Sequence, residues 1–151
     1  MNDGNVIVCK NKDLFNYTII ERFEAGIVLA GSEVKSLRDK KVSLRGSYCS
    51  FTGSELFIVN MRIDNYRSSD FVKLEPERPR KLLLDKRELI RLRRKVEEKG
   101  FTIIPVSVYF KKQFAKIEIA LVTGKTQRDR RHEIRERELN RELARLNKNR
   151  R

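Results

Sequence analysis

Hydrophobic and polar residues alternate over three stretches of the chain, with the period of two that is typical of β-strands. Residues 17–30 mix aromatic and β-branched residues around Gly26, which predicts a strand that bends or two short strands that meet at a bulge. Residues 47–63 contain two β-rich runs separated by a Thr-Gly-Ser turn at 52–54, which predicts a hairpin. Residues 101–124 predict two further strands joined at KKQF, with alternating core positions at Val106, Val108, Phe110, Ile117, Ile119 and Leu121.

Two segments have the pattern of helices. In GSEVKSLRDKK, Ser32 precedes an amphipathic run, which predicts a short helix with Ser32 as its N-cap. Residues 81–100 predict a longer helix that Asp85 can cap and that Gly100 ends. Its apolar residues recur three and then four positions apart, at Leu89, Leu92 and Val96.

These elements predict a mainly β protein with short helices, an α+β fold whose folded part runs from about residue 6 to 124. Antiparallel strands that meander and are interrupted by a helix favour a small closed barrel of the OB type with one longer helix. A split antiparallel sheet with helices on one face is the alternative. We therefore divide the chain into a barrel domain over residues 1–124 and a charged C-terminal tail over residues 125–151.

The tail consists almost entirely of helix-forming residues, yet it has little apolar surface to pack against a core. Pairs of Glu and Arg four residues apart stabilise a helix by only a few tenths of a kcal/mol each, and an isolated helix of this length is marginal in water. We expect the tail to be disordered when free and helical against a polyanion. A solvated helix that extends from the body is the alternative. Its apolar stripe, to which no role is assigned, consists of Leu139, Leu143 and Leu146.

The net charge of +14 over 151 residues, with a pI near 10.1, indicates a polyanionic partner, either nucleic acid or an anionic membrane surface. No apolar run approaches the roughly 18 residues of a membrane-spanning helix. The first residues have no basic segment followed by a long apolar one, so we expect no signal peptide. The tail also has no aromatic and leucine-rich face that would insert among lipid headgroups. The sequence therefore favours nucleic acid as the partner, no membrane contact and a cytoplasmic location.

Residues for catalysis or metal binding are scarce. His132 is the only histidine and lies within the charged tail, and no nucleophile or phosphate-loop motif occurs. Cys9 and Cys49 stand among apolar or β-prone residues, where a small buried hydrophobic residue is the preferred interpretation. We therefore expect a protein that is not an enzyme and that needs no cofactor or metal.

Basic residues occur in three groups that together could neutralise many phosphates. The tail is one group. The other two consist of Lys35, Arg38, Lys40 and Lys41, and of Arg78, Arg80, Lys81, Lys86 and Arg87. Glu24 is a carboxylate within a strand that is otherwise apolar at alternate positions. It is either a rim residue paired with a neighbouring cation or an acceptor for a base edge or a ribose 2′-hydroxyl.

Three blocks of the sequence form a specific set: FEAGIVLAGSEVKSLRDKKVSLRGSY, PERPRKLLLDKRELIRL and GKTQRDRRHEIRER. In their order and near spacing these blocks resemble the SmpB family, the tmRNA-binding proteins of bacterial trans-translation. The resemblance extends from about Asn11 to Arg137. Two such motifs as EVKSLR and RKLLL in one small basic chain are more specific than any single motif.

The resemblance implies an OB-type barrel that binds the tRNA-like domain of tmRNA. The complex, with elongation factor Tu, would enter stalled ribosomes, and the tail would reach small-subunit rRNA at the decoding centre and the empty mRNA channel. The family is also expected to support alanylation of tmRNA by alanyl-tRNA synthetase. A basic ribosome-structural protein or a general RNA-binding protein is the alternative, which composition fits nearly as well and the motifs do not.

The resemblance also implies site residues, matched motif by motif. The RNA-facing set is Asn11, Glu24, Lys35, Ser36, Arg38, Arg80, Lys81 and Leu83. The set for the decoding centre is Gly124, Lys125, Arg128, Asp129, Arg130, Arg131, Ile134 and Arg135. For Glu24, the resemblance favours the acceptor role over the rim residue.

The chain departs from the family pattern at three positions. Thr126 replaces a lysine, and Arg128 stands where an aromatic residue or histidine is usual. A guanidinium plane would then have to stack on decoding-centre bases in place of a ring. Asp13 is acidic where the family tends to be basic. The RNA role of the corner around Asn11 is therefore less secure than that of the strand containing Glu24.

Overall fold

A computed structural model of the chain describes residues 5–65, 74–98, 100–124 and 127–149. Nine strands account for most of the folded part. In chain order, β1 to β9 are Asn5–Lys10, Tyr17–Ile27, Val42–Ser43, Tyr48–Thr52, Glu55–Val59, Arg62–Ile63, Arg80–Leu83, Phe101–Lys111 and Phe114–Gly124. The helices α1, α2 and α3 are Gly31–Arg38, Lys86–Glu97 and Gln127–Asn149, and a 3-10 helix spans Lys12–Asn16.

Seven strands form one sheet that closes on itself. The order is β1-β8-β4-β5-β7-β2-β9, and β9 also pairs with β8, so the path of hydrogen bonds returns to β8. The short strands β3 and β6 form a separate pair. All of these pairings are antiparallel. The prediction of a mainly antiparallel β protein with short helices is therefore confirmed, and so is the predicted hairpin at 47–63, which forms β4 and β5.

The main core lies inside this ring of strands. Alternate residues of each long strand point inwards, α1 contributes Leu37, and α2 contributes Leu92, both fully buried. Since the inward residues of β2 are Phe23, Ala25 and Ile27, the residues between them face outwards.

The alternation in β8 is interrupted, contrary to the simple pattern read from the sequence. Val106 was expected to share a face with Val108 and Phe110, but the pairing with β9 shifts between Pro105 and Ser107. Because one extra residue moves the following side chains to the other face, Val106 joins a second core cluster. That cluster consists of Ile104, Val106, Ala120 and Val122, covered by Leu14, Tyr17 and Ile19.

In β2 the bulge lies elsewhere than predicted. The register with β9 shifts between Ile19 and Glu21, while Gly26 marks the point where the strand gains β7 as a neighbour. A Cβ atom at Gly26 would lie 3.3 Å from the Cβ of Leu83, tighter than an ordinary contact. Gly26 therefore allows β7 to approach closely, and the register with β9 runs through it without a shift.

Both predicted helices form, with different starts. In α1 the N-cap is Ala30, whose N–H donates to Glu33 Oε1 over 3.0 Å, so Ser32 is not the cap. In α2 the helix begins after Asp85 as expected, but residues 81–83 belong to β7 because Leu82 is buried in the core. The helix ends earlier than predicted, at Glu97 with Glu98 as its C-cap, so Gly100, with a φ of +95°, lies beyond the cap and does not end the helix. None of the helices among the described residues is both long and apolar enough to span a membrane.

A buried ion cluster ties α1 to the ring. The Arg80 guanidinium, fully buried, donates to Glu33 Oε2 over 2.7 Å, to the Met61 carbonyl over 2.6 Å and to the Pro76 carbonyl over 2.9 Å. Arg78 adds a second pair of hydrogen bonds to the Glu33 carboxylate. Arg80 belongs to the expected RNA-facing set, and in this structure its guanidinium is directed into the fold.

The same cluster sets the charge of Glu33. Burial opposes ionisation, but the hydrogen bonds from Arg78, the Ala30 N–H and Arg80 outweigh it and hold the pKa of Glu33 below its usual value. The pKa of Glu33 is lower in the folded chain than in the unfolded chain, so the ionised carboxylate stabilises the fold. This stabilisation is complete above the pKa of Glu33 in the unfolded chain, and it is lost as pH falls through the pKa of Glu33 in the folded chain.

Replacement of Glu33 by Gln is expected to destabilise the fold by about 3–5 kcal/mol, because it leaves the buried Arg80 charge uncompensated. Urea unfolding at pH 7 measures the change. The matched control is Asp64→Asn, which breaks the exposed 3.0 Å pair with Arg62 and should cost less than about 1 kcal/mol. Equal effects of the two substitutions would contradict a structural role for the cluster.

Candidate nucleic-acid interface

Four adjacent strands, β7, β2, β9 and β8, present a charged outer surface. The register of β9 with β2 and β8 determines which outward side chains become neighbours. We call this surface the Glu24 face, and it consists of Lys81 and Leu83 of β7, Arg22, Glu24 and Gly26 of β2, Lys116 and Glu118 of β9, and Tyr109 and Lys111 of β8. The structure thus brings together three of the expected RNA-facing residues, Glu24, Lys81 and Leu83.

Glu24 is held at the centre of this face by residues of β8. The Tyr109 hydroxyl donates to Glu24 Oε2, and Lys111 Nζ lies 3.5 Å from Oε1. The Tyr109 hydrogen bond is the main cause that lowers the pKa of Glu24, partly opposed by desolvation and reinforced by Lys111 and Lys116. Burial and the neighbouring Glu24 raise the pKa of Tyr109. At neutral pH Glu24 is therefore an ionised acceptor and Tyr109 a neutral donor.

A second carboxylate lies directly opposite Glu24. Glu118 is its partner in the β2–β9 register, so the two side chains share one side of the sheet, where like charges repel. Glu118 instead pairs with Arg22 over 3.0 Å. Each carboxylate therefore has its own positively charged neighbour, and Glu24 is directed towards β8.

A shallow cleft of about 260 Å³ adjoins Glu24 at Gly26. Leu83 is about half exposed beside it, and Phe114 at the β8–β9 turn is 60% exposed. Most of the residues around the cleft are apolar. Its lining consists of Gly26, Ile27, Leu29, Val34, Leu83, Gln113, Phe114, Ala115 and Lys116.

The helix α1 borders the same end of the ring, since Val34 lines the cleft. Lys35 and Arg38 of α1 are exposed. The Arg38 guanidinium lies 4.8 Å from the centre of the Phe110 ring, which fixes its position next to the β8–β9 hairpin. Lys81, on β7, pairs with Glu55 over 3.1 Å and stays half exposed.

Two other expected RNA-facing residues lie inside the fold. Asn11 is buried, with its side-chain oxygen accepting from the Asp13 N–H over 2.9 Å and its amide donating to the Pro105 carbonyl over 2.7 Å. Ser36 is fully buried, and its hydroxyl has no partner among the described residues. Asp13 accepts from the Gly46 N–H over 2.8 Å. This corner of the molecule is occupied by contacts within the chain.

Sequence reasoning missed the contribution of the β8–β9 hairpin. Tyr109, Lys111 and Lys116 contribute the hydroxyl and two of the cations around Glu24, and Lys112 occupies the turn with a φ of +59°. The signal available in the sequence was YFKKQFAK, in which a tyrosine and a lysine two residues apart share the outward side of a predicted strand.

The tail begins where β9 ends at Gly124, which pairs with Tyr17. Lys125 lies outside the described residues, and the backbone of Arg128, Asp129, Arg130 and Arg131 is helical within α3. Ile134 and Arg135 are exposed on the helix. The Arg137 guanidinium lies 4.3 Å from the centre of the Phe15 ring. The apolar stripe does not pack on the body, since Leu139, Leu143 and Leu146 are each more than half exposed.

Among the residues that the structure describes, no cluster of three or more histidine, cysteine or acidic side chains could hold a metal ion. Both cysteines are unpaired, and burial raises the pKa of the Cys49 thiol, so it stays protonated.

Comparison with known proteins gives one consistent result. The family model for "SmpB protein" matches residues 7–149. The SsrA-binding protein of Persephonella marina is 50% identical over 142 residues, which cover 93% of each chain. That of Anaeromyxobacter sp. is 46% identical over 95% of this chain and 87% of its own. A solved structure described as "tmRNA-SmpB: a journey to the center of the bacterial ribosome" has a TM-score of 0.67 and 40% identity over 84% of this chain and 94% of its own.

The motifs FEAG, EVKSLR and RKLLL lie within the matched region, and the first and third contribute Glu24, Lys81 and Leu83 to one face. The chain belongs to the SmpB family.

Proposed function

We propose that this protein is an RNA-binding adaptor of trans-translation, whose folded part binds the tRNA-like domain of tmRNA and whose tail acts on the ribosome. The observation that carries the proposal is an ionised, partly exposed carboxylate surrounded by cations on one outer face of the sheet. Membership of the SmpB family, with relatives named SsrA-binding protein, supports tmRNA as the RNA.

The Glu24 face suits a folded RNA better than an arbitrary polyanion. Lys81, Lys111 and Lys116 attract phosphates, which gives affinity without sequence preference. Glu24 repels phosphates and accepts hydrogen bonds only from O–H or N–H groups, such as a ribose 2′-hydroxyl or a base amine. The face therefore binds where a phosphate backbone and a suitably placed donor are found together.

The cleft next to Gly26 adds an apolar contact. Leu83 and Phe114 present apolar surface beside Lys116, where a ribose or an unpaired base can pack. The cations of α1, Lys35 and Arg38, extend the positive surface beyond this cleft.

On the ribosome, the tail would leave the body of the protein and enter a channel lined by RNA. Only α3 of the described helices presents four large apolar residues and a dense set of arginines to solvent. Neutralisation of those arginines by rRNA phosphates would favour the helix there. We place Gly124, Lys125, Arg128, Asp129, Arg130, Arg131, Ile134 and Arg135 at the decoding centre on the basis of the family motifs. Elongation factor Tu and alanyl-tRNA synthetase would act through tmRNA.

The competing function is that of a ribosome-structural protein, which would bind RNA through its positive charge without preferring one RNA over another. The carboxylate at the centre of the Glu24 face disfavours it, since a surface selected only for charge gains nothing from an acceptor.

The experiment that separates the two functions measures binding to the tRNA-like domain, to bulk tRNA and to ribosomes over a series of salt concentrations. We expect binding to weaken with salt in each case while the preference for the tRNA-like domain over bulk tRNA persists; equal affinity for all three RNAs would refute the adaptor function.

Glu24→Gln is expected to weaken binding to the tRNA-like domain by about tenfold or more, although it makes the protein more basic, because a charged acceptor is worth about 1.5–3 kcal/mol. Filter binding or fluorescence anisotropy measures the change. Glu118→Gln is the matched control, since it makes the same charge change on the same face at a carboxylate already paired with Arg22. Tighter binding by Glu24→Gln would exclude a specific acceptor role.

Truncation after Lys125 removes α3 and leaves the Glu24 face complete. Binding to the tRNA-like domain should therefore stay close to that of the full chain, while tagging of peptides on stalled ribosomes should be abolished. Measuring both activities on the same preparation separates the two roles. If the truncated protein lost its affinity for the RNA, the tail would be an electrostatic anchor.

A further inference from the structure

We infer that Tyr109 is a positioning residue for RNA recognition: its hydroxyl orients the Glu24 carboxylate so that the remaining lone pairs meet a hydrogen-bond donor of the RNA. This inference rests on the proposed function and adds to it a residue that no sequence motif indicated. Tyr109 itself is buried and need not contact the RNA.

The two residues differ in exposure in a way that suits these roles. Tyr109 is only 7% exposed, so its ring is packed among neighbouring residues, whereas the Glu24 side chain is 43% exposed. The hydroxyl donates to Glu24 Oε2 across β9, which lies between their two strands. A rigid donor thus restrains a side chain that would otherwise sample several rotamers in solvent, and the RNA meets an acceptor that is already ordered.

The Glu24 carboxylate has acceptor sites left for a hydrogen bond from the RNA. An ionised carboxylate has about four acceptor sites. Tyr109 uses one at Oε2, and Lys111 lies at the long distance of 3.5 Å from Oε1. Oε1 therefore keeps capacity for a strong hydrogen bond, and Lys111 can turn from Glu24 to a phosphate when the RNA binds.

Other charged groups around Glu24 do not replace the tyrosine. Lys116 of β9 acts on it through charge, and Lys111 of β8 acts through charge and a long hydrogen bond of 3.5 Å. Glu118 of β9 is engaged by Arg22 of β2. On β7, Lys81 pairs with Glu55. Among the described residues, Tyr109 is the uncharged group that donates a hydrogen bond to this carboxylate.

The test is a double-mutant cycle of Tyr109→Phe and Glu24→Gln in the full-length protein, with binding to the tRNA-like domain as the readout. Tyr109→Phe keeps the buried ring and removes only the hydroxyl. We expect it to weaken binding about tenfold, since one hydrogen bond to a charged group is lost. In the Glu24→Gln background it should have an effect of less than about twofold, because the two residues act as one unit. Tyr48→Phe, at a partly exposed tyrosine of β4 outside the Glu24 face, should bind as the wild type does.

The outcomes separate this inference from the proposed function. If Glu24→Gln weakens binding and Tyr109→Phe does not, the positioning role is refuted and the adaptor function stands. If the two substitutions are additive, Tyr109 acts independently of Glu24 and the inference is equally wrong. If Glu24→Gln has no effect on binding, the acceptor role of Glu24 is refuted, and so is the positioning role of Tyr109. Thermal unfolding of each variant reports whether the fold is retained.

RNA affinity measured as a function of pH gives a second readout. A tyrosine that only stabilised the fold would not change the pH at which affinity is lost. The Tyr109 hydrogen bond lowers the pKa of Glu24, so RNA binding by the wild type should persist until pH falls through that lowered value. Without the hydroxyl the pKa rises, and the acid limb of the profile should move to higher pH. The ratio of the variant's affinity to that of the wild type on the same RNA removes the contribution of the RNA's own titration. An acid limb at the same pH in both proteins would overturn the inference.

Discussion

The fold and the candidate site both depend on the antiparallel pairing of β9 with β2 on one edge and with β8 on the other. This pairing closes the sheet, because β8 also continues into β4 and β1. It places Ile117, Ile119 and Leu121 inside the ring and directs the residues between them outwards. Because a shift of one residue would exchange the two sides, the same register that buries the core also assembles the Glu24 face.

Two glutamates show how burial assigns different roles to the same side chain. Glu33 is almost completely buried, and the donors of Arg78, Arg80 and the Ala30 N–H satisfy it, so it fixes α1 to the ring. Glu24 accepts a single strong hydrogen bond from a neutral tyrosine and remains partly in solvent. Hydrogen bonds lower the pKa of both, yet only Glu24 keeps acceptor capacity that a ligand can reach.

The tail follows a different physical rule from the rest of the chain. The body obtains its structure from long-range strand pairing, whereas α3 is a single helix of 23 residues. Among its contacts with the body is the stacking of Arg137 on Phe15. Its apolar stripe is narrow and exposed, so burial adds little to its stability. An exposed apolar stripe on a strongly charged helix suits the ribosomal role that we propose for it.

Local pattern was enough to predict the hairpin at 47–63 and the start of α2 after Asp85, because each is a property of neighbouring residues. Tertiary structure alone decided the rest. The shift of pairing at Val106, the burial of Arg80 and the hydrogen bond between Tyr109 and Glu24 depend on which strands meet and in what register. Tyr109 and Glu24 are 85 residues apart in the chain, and no local period connects them. Only closure of the sheet brings their side chains to the same outer face.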